Sequence, residues 1–310
     1  MRPIRNVRPG CIYEITTRTI DRTKLMRPSK EVNSIIVGVI GRAQEQTGVK
    51  IYALVFMSTH YHMLVGCTDA DQKAKFIGMV NSNITTKLNA LNDRTGSGWS
   101  RRFFAIPVSK DRTTQERRLR YLLAHGVKER LVARAKDWPG ASTLPWLLSG
   151  TAIRGVWTSF TARYHAQRRK GYVPKRGEFD TVYELKMSVL PCWRQLDAPE
   201  WRARVADMVA ALEADEARRC AEEHGLALED RVLGAAAVLA AHPFDRLDRQ
   251  RRSRAPSVHA ACKLMRTLME DELKALREAY AEASHRFRAG EWDVDFPLGT
   301  FRPGGGFVAR

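Results

Sequence analysis

Residues 51–65 read IYALVFMSTHYHMLV, a run of apolar and β-branched residues that carries two histidines, His60 and His62. This composition predicts a strand, in which side chains repeat on one face every two residues. His60 and His62 therefore share a face, about 7 Å apart along the strand, and Tyr61 points to the opposite face, into the core. Two imidazoles at this spacing can bind a divalent metal ion. A pair of structural histidines is the alternative.

Strands and helices alternate on both sides of this segment. The residue patterns predict a strand over 11–20, a helix over 30–48 that ends at a glycine, and a helix over 72–91 capped from residues 69–71. They further predict a strand over 99–108 and a helix from Thr113 to Ala135. This order indicates an α+β domain with helices over a sheet.

The boundary of this first domain is expected near residue 150, where prolines and glycines interrupt the pattern. Residues 1–150 are thus the predicted catalytic domain, and residues 151–310 are a mostly helical C-terminal extension of unknown role. Helical runs are expected within 200–240 and 257–289, and no regular structure is expected over 296–310. His242, His259 and His285 lie scattered in the extension and are interpreted as incidental.

Composition restricts the class of protein. The chain has 310 residues, 44% of them hydrophobic, which suffices for a buried core. No apolar run reaches the roughly 18 residues of a membrane helix, and the N-terminal arginines precede no signal-like apolar segment, so we expect no membrane association and a cytoplasmic, nucleoid-associated protein. The five cysteines form no CxxC pair, which argues against a cysteine-based zinc site.

Positive charge is concentrated in the first domain. Residues 1–150 contain 25 Lys and Arg against 11 Asp and Glu, a net charge of +14, whereas residues 151–310 contain 27 against 23, a net charge of +4. A basic surface of this size attracts polyanions and binds phosphates without sequence preference. Nucleic acid is therefore the expected partner, and the basic segments 168–170 and 249–252 of the extension could add contacts.

Tyr121 and His125 lie four residues apart in a predicted helix, so they share one helix face. If that face covers the histidine strand, His125 completes a three-histidine metal site and the Tyr121 hydroxyl stands beside the metal. A metal ion can act as a Lewis acid on a phosphodiester, and a tyrosine oxygen can attack phosphorus to form a 5′-phosphotyrosine. Candidate DNA contacts are Trp99, Arg101, Arg102, Arg117 and Arg120, with a core tryptophan and solvated arginines as the alternative.

Four segments resemble the single-tyrosine HUH transposases, a family that includes the IS200-like and REP-associated tyrosine transposases. Residues 57–65 (MSTHYHMLV) resemble the family's MPNHxHLLV, and residues 98–103 (GWSRRF) resemble its G-x-x-W-x-x-RF stretch. Residues 121–132 (YLLAHGVKERLV) are similar to YIHLNPVRAGLV, and residues 137–142 (DWPGAS) are similar to DYPWSS. The resemblance covers residues 8–150.

The resemblance implies a ferredoxin-like β-α-β-β-α-β core, a divalent ion, Mg²⁺ or Mn²⁺, on His60 and His62, and Tyr121 as the nucleophile. It also implies that the protein cleaves and rejoins single-stranded or hairpin DNA in transposition. The chain departs from the family where an Asn or Gln is replaced by His125, a residue that can still bind metal. The tyrosine could act in its own chain or in a partner subunit, so a homodimer stays open.

Two other functions are compatible with the sequence. One is a domesticated, catalytically silent DNA- or RNA-binding protein on the same fold. It has no chemical reason to retain His60, His62 and Tyr121 together. The other is a replication initiator or relaxase with the same chemistry, although neither a fused helicase nor a second active tyrosine is recognisable in the sequence.

Overall fold

The computed structural model describes residues 11–169, 171–173, 175–248 and 256–303. The chain begins with the order β-α-β-β-α-β. These elements are β1 (Ile12–Arg18), α1 (Lys30–Thr47), β2 (Lys50–Phe56), β3 (His60–Gly66), α2 (Ala70–Leu91) and β4 (Phe104–Val108). The strands form an antiparallel sheet in the order β2-β3-β1-β4. This topology is ferredoxin-like, which confirms the predicted fold of the N-terminal part.

Helices α1 and α2 have the ends that the sequence predicts. The Ser29 side chain accepts a hydrogen bond from the Val32 amide, and the Asp69 side chain accepts one from the Gln72 amide. Helix α1 ends at Gly48, whose φ of 70° suits a residue without a Cβ. Both helices pack on one face of the sheet, so the other face is free for the elements that follow.

The pleat of β3 separates its side chains as expected. Tyr61, Met63 and Val65 point toward α1 and α2, and the Tyr61 hydroxyl donates a hydrogen bond to Asn81 Oδ1 at 2.7 Å. This confirms that Tyr61 is a core residue. His60, His62 and Leu64 occupy the opposite face, which helix α3 (Arg112–Leu123) covers. The alternation of side chains along β3 therefore places both histidines on the face of the sheet that α3 covers.

Two predicted elements are shorter than expected. The strand predicted over 99–108 is regular only at Phe104–Val108, because Trp99 makes a single bridge to Thr19 instead of continuing the ladder. The single helix predicted from Thr113 to Ala135 is wrong beyond residue 123. Its start is capped by Asp111, α3 ends at Leu123, and a short helix α4 (His125–Lys128) follows.

The rest of the described chain is largely helical but includes an unpredicted hairpin. Its elements are α5 (Leu144–Ser149), β5 (Arg154–Thr158), α6 (Phe160–Gln167), β6 (Asp180–Glu184), α7 (Ala198–His224), α8 (Ala235–Ala240) and α9 (Lys263–Arg288). Strands β5 and β6 pair with each other and lie on α1. The run predicted within 200–240 is divided at Gly225, where α7 ends.

Residues beyond 150 contribute to both cores of the first sheet. Leu185 joins the core under α1 and α2, whereas Trp193 and Trp201 join the core on the histidine face. The division at residue 150 stays a prediction. Within the described ranges, no helix is both long enough and apolar enough to cross a membrane. The basic residues 249–252 and Lys170 lie outside the described residues.

Candidate active site

Three histidines converge on the face of the sheet that α3 covers. His60 and His62 come from β3, and His125 comes from the first residue of α4. One ring nitrogen of each lies within 4.8 Å of one ring nitrogen of the others. All three residues are buried. Among the residues that the structure describes, this is the one group of three potential metal-binding side chains so close together.

Each imidazole has its Nδ1 atom occupied by a protein group. His62 Nδ1 lies 2.8 Å from Glu14 Oε1, and His125 Nδ1 lies 2.8 Å from the carbonyl oxygen of Tyr121. Because both acceptors lack a proton, each Nδ1 is the donor, and in a neutral ring Nε2 is then the nitrogen with a lone pair. His60 Nδ1 lies 3.1 Å from the Thr59 hydroxyl. This arrangement of the donors fits a divalent metal ion held by three Nε2 atoms.

Burial favours the neutral, metal-binding form of two of these rings. Desolvation, together with the neighbouring His62, lowers the pKa of His60 well below its ordinary value. The same causes lower the pKa of His125 to about 3. A neutral imidazole is the form that ligates a metal, so these two rings need not lose a proton to bind one near neutral pH.

Tyr121 lies directly beside the histidine cluster. Its ring centroid is 4.6 Å from that of His125 and 5.5 Å from that of His62. The Arg118 guanidinium carbon sits 4.0 Å from the ring centroid. Burial raises the pKa of Tyr121 and so does the charge of Glu14, while Arg118 lowers it. The hydroxyl is therefore protonated at neutral pH, and it has a cation at hand to offset negative charge.

Glu14 on β1 connects these groups. Only 2% of its side chain is exposed, and its carboxylate contacts His62, Arg118 and His259. Burial would raise the pKa of this carboxyl, but the contacts with His259, His62 and Arg118 outweigh burial and hold the pKa far below its usual range. Glu14 is therefore a permanently charged group next to the cluster.

A second carboxylate faces the cluster from the solvent side. Glu129 Oε1 lies 4.0 Å from His60 Nε2, and 43% of the Glu129 side chain is exposed. Burial raises the pKa of this carboxyl, against the lowering charges of His62, Lys128 and Arg18. Its position beside the free nitrogen of His60 gives the site an acidic group open to solvent.

The candidate DNA-contacting residues do not all reach this site. Trp99 packs edge-on against Tyr61 on the other face of the sheet, and its indole N–H donates to the Asn81 carbonyl at 2.9 Å. Arg120 reaches Asp215 of α7 at 2.5 Å. Arg101, Arg102 and Arg117 are exposed.

Sequence reasoning missed Glu14, Arg118, Glu129 and His259. Glu14 could have been noticed from the sequence, because it is the one acidic residue in the apolar and β-branched run 11–20. It lies two residues from Ile12 and therefore on the same face of the strand. The interpretation of His259 as incidental is wrong, since its Nε2 atom lies 2.9 Å from Glu14 Oε2. No local pattern indicates this contact, which joins opposite ends of the chain.

The sheet has the order β2-β3-β1-β4, and the paired histidines lie on the inner strand β3. Residues 8–122 match the family model described as "Transposase IS200 like". No functionally curated protein has a matching sequence.

Two solved structures are similar at low identity. One is a REP-associated tyrosine transposase bound to a REP hairpin, with 17% identity, a TM-score of 0.38 and coverage of 56% of this chain and 89% of that chain. The other is a candidate transposase of Deinococcus radiodurans R1, with 18% identity, a TM-score of 0.29 and coverage of 39% and 95%.

Proposed function

We propose that this protein is a metal-dependent, single-stranded DNA endonuclease and strand transferase that acts through Tyr121 in DNA transposition. The observation that carries the proposal is the position of Tyr121, whose ring lies 4.6 Å from His125 and 5.5 Å from His62 between centroids, within one chain. A phenol beside a cluster of nitrogens that can hold a metal ion is an arrangement suited to metal-assisted covalent phosphoryl transfer.

His60, His62 and His125 would hold the metal through their Nε2 atoms. A divalent ion bound there supplies Lewis-acid activation of a phosphodiester oxygen. The family resemblance implies Mg²⁺ or Mn²⁺, and three imidazole donors favour Mn²⁺ over Mg²⁺, because Mg²⁺ prefers oxygen ligands.

In the proposed cleavage, the Tyr121 oxygen forms a bond to phosphorus and the bond from phosphorus to the 3′ oxygen breaks. The phenol loses its proton to solvent, and the departing 3′ oxygen takes up a proton to become a free 3′-OH. The product is a 5′-phosphotyrosine, and the reverse sequence with another 3′-OH rejoins strands. Arg118, 4.0 Å from the ring centroid, offsets the negative charge that develops on the tyrosine oxygen.

The charge distribution supports DNA as the substrate. Residues 1–150 carry a net charge of +14, and Arg101, Arg102 and Arg117 are exposed arginines of the kind that contact phosphates. Single-stranded DNA next to a hairpin is the substrate that the family resemblance implies.

The proposal is tested by trapping the covalent intermediate. Labelled single-stranded DNA that carries a hairpin is incubated with the full chain and Mg²⁺ or Mn²⁺, and a protein–DNA adduct is sought on a denaturing gel. We expect an adduct with the wild type, none with Tyr121→Phe, and an unchanged adduct with the control Tyr164→Phe, which alters an exposed tyrosine on α6. DNA or RNA binding without an adduct in any metal would favour the silent binding protein instead.

A further inference from the structure

A short segment of the C-terminal half lies along the free edge of the first sheet. Strand β4 is an edge strand, and residue 259 makes a parallel bridge to Val108. The His259 amide donates to the Pro107 carbonyl at 2.9 Å, and the Ser109 amide donates to the His259 carbonyl at 2.9 Å. These two backbone hydrogen bonds fix His259 beside the active-site face.

The side chain of His259 reaches the carboxylate that holds His62. Glu14 Oε1 accepts a hydrogen bond from His62 Nδ1 at 2.8 Å. Its other oxygen lies 2.9 Å from His259 Nε2 and 2.6 Å from an Arg118 nitrogen. Glu14 is 2% exposed and the His259 side chain 13% exposed, so water competes little for these contacts. Both carboxylate oxygens of Glu14 therefore lie against nitrogen-bearing side chains, with His62 at Oε1 and His259 and Arg118 at Oε2.

We infer that His259 is a positioning residue of the metal centre, so that the C-terminal half takes part in the reaction through the contact sequence His259–Glu14–His62. The inference rests on the proposed function insofar as a metal binds to His62. Carboxylates that accept a hydrogen bond from a metal-binding histidine fix its tautomer and ring orientation, and removal of such partners typically weakens metal binding about 10- to 100-fold. His259 acts on His62 indirectly, because it orients the Glu14 carboxylate that accepts the hydrogen bond from His62.

A purely structural role for His259 would leave the state of His62 unchanged, and this difference can be measured. In the contact sequence, Glu14 keeps the proton of His62 on Nδ1 and leaves Nε2 free toward His60 and His125. The ¹⁵N chemical shifts of a histidine ring report which nitrogen carries the proton. They can be recorded on metal-free protein, so the readout does not depend on activity.

The test uses full-length His259→Ala, His259→Gln and His259→Phe, with His285→Ala, an exposed histidine of α9, as the matched control. Mn²⁺ affinity is measured by calorimetry and the His62 ring by NMR. We expect His259→Ala to weaken Mn²⁺ binding about tenfold and to shift the His62 ring from the Nδ1-protonated form toward a mixture. His259→Gln restores a donor and should recover both readouts, whereas His285→Ala should match the wild type.

The outcomes separate this inference from the proposed function. Wild-type Mn²⁺ affinity and wild-type His62 shifts in His259→Ala would overturn the positioning role. If His259→Ala does not fold, His259→Phe replaces it, because phenylalanine keeps the ring volume and removes the donor. A wild-type protein that binds no metal would contradict the proposed function, and the His62 shifts in the metal-free variants would still decide the role of His259.

Discussion

The chemistry of the candidate site depends on histidines whose Nδ1 atom already makes a hydrogen bond within the protein. His62 and His125 each donate from Nδ1, to Glu14 and to the Tyr121 carbonyl, which leaves Nε2 free on both. The site therefore needs little rearrangement to accept an ion, and its donor set is all nitrogen. The metal preference of the site is therefore expected to depend on the donor atom that each residue supplies, because nitrogen donors favour transition metals and oxygen donors favour Mg²⁺.

This leads to a prediction for His125. Replacing His125 with Asn exchanges an imidazole nitrogen for an amide oxygen, the donor that the family resemblance expects at this position. We expect the preference for Mn²⁺ over Mg²⁺ to fall by about tenfold, because an oxygen donor replaces one of three imidazole nitrogens. Calorimetric titration of both ions into the wild type and His125→Asn gives the ratio of dissociation constants. An unchanged ratio would show that His125 does not bind the metal.

Local periodicity predicted much of this site. The two-residue repeat of a strand placed His60 and His62 on one face, and the four-residue spacing in a helix placed Tyr121 beside His125, even though α3 ends before residue 125. Glu14 and His259 could not be paired from sequence, because their contact depends on how a segment near residue 259 returns to β4. The fold could be predicted from the alternation of strand and helix patterns. The pairing of the segment near residue 259 with β4 could not, because no sequence pattern near residue 259 indicates it.

At the scale of elements, the packing of the β5–β6 hairpin on α1 depends on two glycines. A Cβ at Gly38 would lie 2.2 Å from the Val156 carbonyl oxygen, and a Cβ at Gly155 would lie 2.4 Å from the Gly38 amide nitrogen. The two backbones therefore touch directly, and the sequence pattern predicted neither the hairpin nor this contact.

Gly38→Ala is accordingly expected to destabilise the protein by about 1–3 kcal/mol, because a backbone atom has to move to accommodate the methyl group. Gly78→Ala in α2 is the matched control, since a Cβ there meets nothing within 4 Å. The control should gain up to about 1 kcal/mol from helix propensity. Urea unfolding of both variants measures the difference, and equal midpoints would contradict direct packing of the hairpin on α1.

Across the whole molecule, the two halves of the chain differ strongly in net charge. The net charge of +14 on residues 1–150 and of +4 on residues 151–310 places most of the attraction for a polyanion on the first half of the chain. This asymmetry was readable from the sequence, because charge counts do not depend on the fold.

Binding of single-stranded DNA should therefore weaken steeply with salt, and the weakening should depend on arginines of the first half. The triple variant Arg101→Gln, Arg102→Gln, Arg117→Gln is expected to reduce the slope of log affinity against log salt by roughly 0.7 for each phosphate that an arginine no longer neutralises. A control that changes the exposed Arg266 and Arg277 of α9 to Gln should leave the slope unchanged. Equal slopes for both variants would contradict binding on the first half.

Covalent attachment of DNA to Tyr121 can be established by locating the modified residue. The adduct formed with Mn²⁺ and hairpin-flanked single-stranded DNA is digested with nuclease and protease, and the modified peptide is sequenced by mass spectrometry. We predict a nucleotide phosphate on the peptide that contains Tyr121, at the tyrosine itself. A modification on any other residue, or no modified peptide with any divalent ion, would rule out Tyr121 as the nucleophile.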